Sequence, residues 1–89
     1  MKFEWDAKKE RENVEKHGVP FQEASTVFGD ALGATIPDPD HSHGESRFIT
    51  IGHSISQRLI VVSHTEIGEN FRIISAREAN TYERKKYES

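Results

Sequence analysis

Residues 58–78 read RLIVVSHTEIGENFRIISARE, and two strand patterns within this stretch decide the fold. Leu59 to Val62 are apolar without alternation, which indicates a strand buried on both faces, the central strand of a sheet. Glu66 to Asn70 form a short polar connection of the kind that joins the two strands of a hairpin. We therefore predict that a strand over Phe71 to Ser75 pairs antiparallel with one over Arg58 to His64.

The same stretch ends in a pattern that is typical of a helix start. Ser75-Ala76-Arg77-Glu78 matches the S-x-x-E capping box and predicts a C-terminal helix that reaches about Glu88. Arg77 would then lie in the first helical turn, where its charge is disfavoured by roughly 0.3–1 kcal/mol, and Arg72 would approach the same place. Two interpretations are equally open: a phosphate-binding patch at the helix N-terminus, or a self-satisfied cap whose arginines form ordinary ion pairs.

The segments upstream complete an α+β architecture. Asp6 can cap a first helix that ends at Gly18, and Pro20 suits the first turn of a second helix. Further strands are predicted over Leu32 to Ile36 and over Arg47 to Gly52. The expected fold is a single domain over residues 1–89, with two N-terminal helices, a four-stranded antiparallel sheet and a C-terminal helix.

Composition limits the classes of function. The chain has 89 residues and no cysteine, which excludes disulfides, thiol nucleophiles and cysteine-ligated zinc. No stretch resembles a signal peptide or a membrane span, so we expect a cytoplasmic protein without membrane contact. The net charge of −3 argues against a general nucleic-acid binder. However, residues 1–45 hold five Lys/Arg against ten Asp/Glu, whereas residues 46–89 hold seven against five, which indicates a basic face beside an acidic one.

Few residues form a recognisable site outside the arginines. His41, His43 and Glu45 alternate in a polar segment and could bind a divalent ion, but a solvated loop is the preferred interpretation and we predict no metal site. His17 would end the first helix, either as a favourable C-terminal charge or as a group that transfers protons near neutral pH. The sequence contains no P-loop, G-x-G-x-x-G, H-E-x-x-H or G-x-S-x-G motif.

Nearly the whole chain resembles one known family. The matching pieces, in chain order, are Phe3-Glu4-Trp5-Asp6, Asn13, Lys16 to Phe21, Glu23-Ala24, Asp38-Pro39-Asp40, Glu45 to Phe48, Ile51-Gly52, Val61-Val62, Arg72 to Ala79, Glu83-Arg84 and Tyr87. In this order and spacing the pieces resemble the BrnT family of type II toxins, relatives of the RelE-type ribonuclease toxins.

The resemblance implies a compact RelE-like fold, metal-independent endoribonuclease activity without a cofactor, and inhibition of translation and growth. It also implies a cognate ribbon-helix-helix antitoxin, RNA as the substrate, either free or on the ribosome, and operator DNA bound only by the toxin–antitoxin complex. The residues that it carries over as catalytic are Arg47, Arg72, Arg77, His17 and Tyr87. We expect RNA to be bound by Lys16 and by the basic residues of the last helix, Arg84, Lys85 and Lys86. The acidic net charge keeps an alternative open: a non-catalytic relative that docks an acidic partner or an antitoxin.

Overall fold

A computed structural model of the chain describes residues 1–40 and 46–88. The elements in these residues are β1 (Lys2–Glu4), α1 (Ala7–His17), α2 (Phe21–Thr26), a 3-10 turn (Val27–Gly29), β2 (Ala34–Pro37), β3 (Arg47–His53), β4 (Leu59–Ile67), β5 (Asn70–Glu78) and α3 (Thr81–Glu88). The class is α+β.

The five strands form one mixed sheet with the order β1-β5-β4-β3-β2. β2 to β5 pair antiparallel in chain order, and β4, which contains the apolar run of the opening stretch, is the central strand. Both predictions are confirmed. The first predicted strand starts two residues late, at Ala34, because a turn precedes it. In that turn Asp30 accepts the backbone N–H groups of Leu32 and Gly33.

The predicted architecture of four antiparallel strands after two helices is wrong at the N-terminus. Lys2–Glu4 form a fifth strand that pairs parallel with the start of β5. Phe3 holds this strand in place, since its ring packs 5.2 Å from that of Phe28 and 5.8 Å from that of Phe71. Three residues are too few to show an alternating pattern, so tertiary packing decides this element where the sequence pattern could not.

α1 has both of the ends that the sequence predicts, and α2 starts within one residue of the predicted Pro20. The carboxylate of Asp6 accepts the N–H groups of Lys8 and Lys9 at 2.8 and 3.0 Å and so caps α1. Gly18 ends α1 in the left-handed region, with φ at 71°. α2 begins after Pro20 and turns its apolar residues into the core.

The hydrophobic core lies between α2 and one face of the sheet. Its members are fully buried aliphatic and aromatic side chains, namely Val19, Phe21, Ala24, Val27, Ile60, Val62, Ile73 and Ala76. We call this side of the sheet the core face. Partly buried Phe3, Trp5 and Phe28 pack around it.

The C-terminal helix begins later than predicted. Ser75 to Glu78 do not cap a helix but continue β5, paired with residues 60–63 of β4. The true capping box is Asn80 with Glu83: the Asn80 side chain accepts the N–H of Glu83 at 2.8 Å, and the Glu83 carboxylate accepts the N–H of Asn80 at 2.9 Å. A capping box does start the C-terminal helix, as predicted, but it lies five residues later than predicted. Pairing with the central strand keeps Ser75 to Glu78 in β5 instead.

α1 closes the outer edge of β5 beyond the end of β1. The buried amide of Asn13 donates to the carbonyl of Ala76 at 2.8 Å and accepts the N–H of Ala76 at 3.1 Å. Its NH₂ group also donates to the carbonyl of Val19 at 2.9 Å. One side chain thus satisfies the backbone groups that a further strand would otherwise pair.

His64 is fully buried on the core face in a ring of aromatic side chains. Its ring stacks between those of Phe48 and Phe71 at 6.0 and 5.6 Å. Nε2 lies 2.7 Å from the hydroxyl of Thr50, which in turn lies 2.7 Å from that of Thr35. Burial lowers the pKa of His64 from 6.5 to about 4, so the ring is neutral in the folded protein at neutral pH.

We expect His64 to make the fold sensitive to mild acid. The unfolded chain binds this proton near pH 6.5 and the folded chain only near pH 4, so stability falls as the pH is lowered through this window. The loss is on the order of 2–3 kcal/mol. Chemical unfolding at pH 7 and pH 4.5 should show it, and His64→Phe, which keeps the stacking, should remove most of the difference. An equal pH slope in this variant would contradict the assignment.

Candidate functional site

A bulge in β5 puts two of the predicted arginines on one side of the sheet. Arg72 and Arg77 are five residues apart, a spacing that would place them on opposite faces of a regular strand. Ser63 pairs with Ser75 and His64 with Ile73, so the extra residue Ile74 shifts the alternation by one. As a result Ile73 and Ala76 both face the core, and both arginines lie on the opposite side. We call that side the arginine face.

Arg47 of β3 lies on the same face. Arg47 and Arg72 both pair with Thr65 of β4, one from each side. Their Cα atoms are therefore roughly 10 Å apart, which is two strand spacings. Together with Lys9 they line an open cleft of about 500 Å³. Arg72 is half exposed, and its Nη1 is 3.5 Å from a carboxylate oxygen of the equally exposed Glu4.

Arg77 lies further along β5. It pairs with Val61, whereas Arg72 pairs with Thr65, four residues along β4. The Cα atoms of the two arginines are therefore roughly 13 Å apart along the strand direction. Its guanidinium donates from Nη1 and Nη2 to the two carboxylate oxygens of Glu83, both at 2.8 Å. This bidentate bond raises the pKa of Arg77 and lowers that of Glu83. The prediction that Arg77 lies in the first turn of the C-terminal helix is therefore wrong: Arg77 belongs to β5 and contacts α3 through Glu83.

Tyr87 anchors the last turn of α3. Its hydroxyl donates to a carboxylate oxygen of Asp30 at 2.7 Å, and the same oxygen accepts the N–H of His53 at 2.7 Å. The hydrogen bond to Asp30 raises the pKa of Tyr87 to about 12, and the bonds from His53, Tyr87 and Leu32 lower the pKa of Asp30 to about 2. In this arrangement Tyr87 holds α3 in place, and its hydroxyl stays protonated at neutral pH.

The two predicted residues on α1 point to different sides. Lys16 follows Lys9 by seven residues, two helical turns, and so shares the side that borders the cleft. His17 follows Glu10 by the same interval, and Glu10 accepts the N–H of Phe21 from α2. His17 therefore lies toward α2 and not beside the arginine face. The i,i+7 spacing of the lysines was the signal that could have added Lys9 to the predicted residues.

α3 carries the remaining predicted cations. Lys86 lies over the ring of Tyr82 at 5.7 Å and lines an apolar groove between α3 and β2–β4. Arg84 and Lys85 are exposed on the outer side of the helix, with Arg84 4.0 Å from Glu88. These three side chains do not converge with Arg47 and Arg72 on a single point.

No group of three metal-ligating side chains occurs in residues 1–40 and 46–88. The histidines and the glutamate of the predicted solvated loop, His41, His43 and Glu45, lie outside the described residues. None of the helices in the described ranges has the length and apolar character that a membrane crossing requires.

Comparison with known proteins identifies the family of the chain. The family model described as "Ribonuclease toxin, BrnT, of type II toxin-antitoxin system" matches residues 5–83. The crystal structure of the Brucella abortus ribonuclease toxin BrnT is similar, with a TM-score of 0.70 and 26% sequence identity, over 91% of this chain and 99% of that one. A search of curated proteins finds no match. Because the family model spans most of its length, the chain belongs to the BrnT family of ribonuclease toxins of type II toxin–antitoxin systems.

Proposed function

We propose that the chain cleaves RNA on its arginine face and thereby inhibits translation and growth. The observation that carries the proposal is the placement of Arg47, Arg72 and Arg77 on one side of the sheet, with the first two lining one cleft. Guanidinium groups bind phosphate oxygens bidentately and keep their charge at any physiological pH. A row of such groups suits an RNA backbone lying across the strands.

The chemistry needs three functions: a base for the 2′-hydroxyl, cations for the crowded phosphate and an acid for the leaving oxygen. Arg47, Arg72 and Arg77 supply the cations in this proposal. His17 and Tyr87 remain the candidates for proton transfer, each under a condition that the structure sets. RNA would have to pass around α1 to reach His17, and Tyr87 would first have to release Asp30.

The RNA path in this proposal continues from the cleft onto the flanking helices. Lys9 borders the cleft, and Lys16 extends the same side of α1 by two turns. Arg84, Lys85 and Lys86 offer a second basic surface on α3. Contacts of this kind position a strand without reading its bases. We propose that these five side chains bind RNA and that the three arginines act on the scissile phosphate.

The partners belong to the same proposal. A type II toxin has a cognate antitoxin, and we propose that here it is a ribbon-helix-helix protein, whose complex with this chain binds operator DNA. The toxin would act in the cytoplasm, on RNA that is free or held on a ribosome. We also propose that catalysis needs no metal, since arginine side chains take the role that a metal cation has in other nucleases.

Expression of the chain in a bacterium tests the function directly. We expect growth arrest and fragmented RNA without the neighbouring antitoxin gene, and neither effect when that gene is co-expressed. The purified protein should cleave total bacterial RNA equally well in excess EDTA. Intact RNA and normal growth with well-folded protein would reject the ribonuclease. Tight antitoxin binding in that case would support the non-catalytic alternative that the net charge of −3 favours.

A further inference from the structure

The ion pair of Arg77 leaves part of its guanidinium free for a ligand. Of five N–H groups, Nη1 uses two, on the Glu78 carbonyl at 3.3 Å and on Glu83, and Nη2 uses one on Glu83. Among the described residues, Nε and the second N–H of Nη2 bond to no acceptor. These two N–H groups are adjacent and parallel, and together they form the side fork of the guanidinium, which can bind two phosphate oxygens.

The carboxylate that holds Arg77 is itself fixed. One oxygen of Glu83 also accepts the N–H of Asn80 at 2.9 Å, and the N–H of Glu83 donates to the Asn80 side chain at 2.8 Å. Glu83 is therefore part of the helix cap, and its orientation follows that of α3. A freely rotating carboxylate would let the guanidinium turn, whereas this one sets the plane in which the guanidinium lies.

α3 in turn is held at both ends although none of its described side chains is fully buried. Its first turn is fixed by Glu83 on Arg77 and its last turn by Tyr87 on Asp30. The His53 and Tyr87 rings meet edge to face at 5.3 Å. Little core packing holds this helix. The hydrogen bonds of Glu83 and Tyr87 therefore decide where α3, and with it Glu83, lies over the sheet.

We propose that Glu83 is a positioning residue, which holds the guanidinium of Arg77 so that its free side fork faces the RNA phosphate. The inference rests on the proposed function of the arginine face. Glu83 contacts Arg77 and not the substrate, so it acts on catalysis only through the arginine. A carboxylate that competed with RNA for Arg77 would have the opposite effect on the rate.

Glu83→Gln separates this role from helix capping. Glutamine also completes a capping box, so α3 should persist, but a neutral amide cannot accept from both Nη groups. We expect the cleavage rate at saturating RNA to fall roughly 10- to 100-fold. Binding of a non-cleavable 2′-O-methyl RNA should weaken much less. The double variant Arg77→Ala with Glu83→Gln should cleave no more slowly than Arg77→Ala alone, because Glu83 acts through Arg77.

Asn80→Ala is the matched control, since it removes the side-chain bond of the cap but keeps the ion pair and the backbone N–H of residue 80 that holds the Glu83 carboxylate. It should cleave RNA at close to the wild-type rate well below its melting temperature. The inference is overturned if Glu83→Gln cleaves as fast as wild type or faster, or if Asn80→Ala loses as much activity. It is also overturned if the double variant is slower than Arg77→Ala. Failure of the proposed function looks different: the wild-type protein would then leave RNA intact, or Arg77→Ala would cleave it at the wild-type rate, whatever Glu83→Gln does.

Discussion

Arg72→Ala is expected to lower the rate of RNA cleavage by about 100-fold or more and to abolish growth arrest. The estimate follows from the cost of removing one preorganised group that stabilises developing charge, which is on the order of 100- to 1,000-fold. Arg72 lies half exposed at the cleft that it shares with Arg47. The melting temperature of the Arg72→Ala variant should change little, because exposed ion pairs contribute at most about 1 kcal/mol to the free energy of unfolding. Single-turnover cleavage and thermal unfolding measure the two effects.

Glu4→Gln is the matched control for Arg72. It removes the same 3.5 Å ion pair from the other side and leaves the guanidinium in the cleft. We expect wild-type or slightly faster cleavage. Arg72→Lys should fall between the two, since it keeps the charge but loses the planar fork. Equal losses in Arg72→Ala and Glu4→Gln would show that the pair matters for structure, and would remove Arg72 from the catalytic set.

Asn13→Ala should be the most destabilising polar substitution proposed for this chain. It leaves the carbonyls of Val19 and Ala76 and the N–H of Ala76 without their partner at a buried sheet edge. Unsatisfied buried groups cost about 1–3 kcal/mol each, and partial access of water brings the expected total to roughly 2–4 kcal/mol. For a domain of this size the melting temperature should drop by roughly 10–25 °C.

Two further variants of α1 show whether the edge is the cause. Asn13→Asp can still accept the N–H of Ala76 but cannot donate to either carbonyl, so it should be destabilised as well. Glu15→Ala changes an exposed position on the same helix and should stay within about 0.5 kcal/mol of wild type. If Asn13→Ala unfolds within 1 °C of Glu15→Ala, the edge-closing role of Asn13 is wrong.

The sequence predicted correctly those elements whose pattern lies within the element itself and its immediate neighbours. The apolar run of Leu59 to Val62 indicated the central strand, and Asp6 with Gly18 indicated both ends of α1, as found. Placing Ser75 to Glu78 in a helix was wrong because the capping-box pattern says nothing about long-range pairing. β1 could not be predicted, since its stability comes from ring contacts of Phe3 with residues far along the chain.

The candidate site was predictable in part. The resemblance selected Arg47, Arg72 and Arg77, and the structure places all three on one face. Their shared face could not be predicted from spacing, because an odd interval indicates opposite sides until the bulge at Ile74 is known. The partner of Arg77 was also missed. Asn80-x-x-Glu83 is a second capping-box pattern, and it was the available signal.

Acidic neighbours of the arginine face should weaken the salt dependence of RNA binding in the proposed complex. Glu4 lies beside Arg72, and Glu83 lies on Arg77, so much of the positive charge is already balanced before a strand arrives. Binding driven by counterion release scales with the number of phosphates neutralised, with a slope near −0.7 per phosphate for single strands. Three arginines would give a slope of about −2 at most, and less with their carboxylates in place. In the proposed complex with RNA, the charge of the arginine face would therefore add little affinity, and any selection among RNAs at this face would depend on the shape of the strand in the cleft.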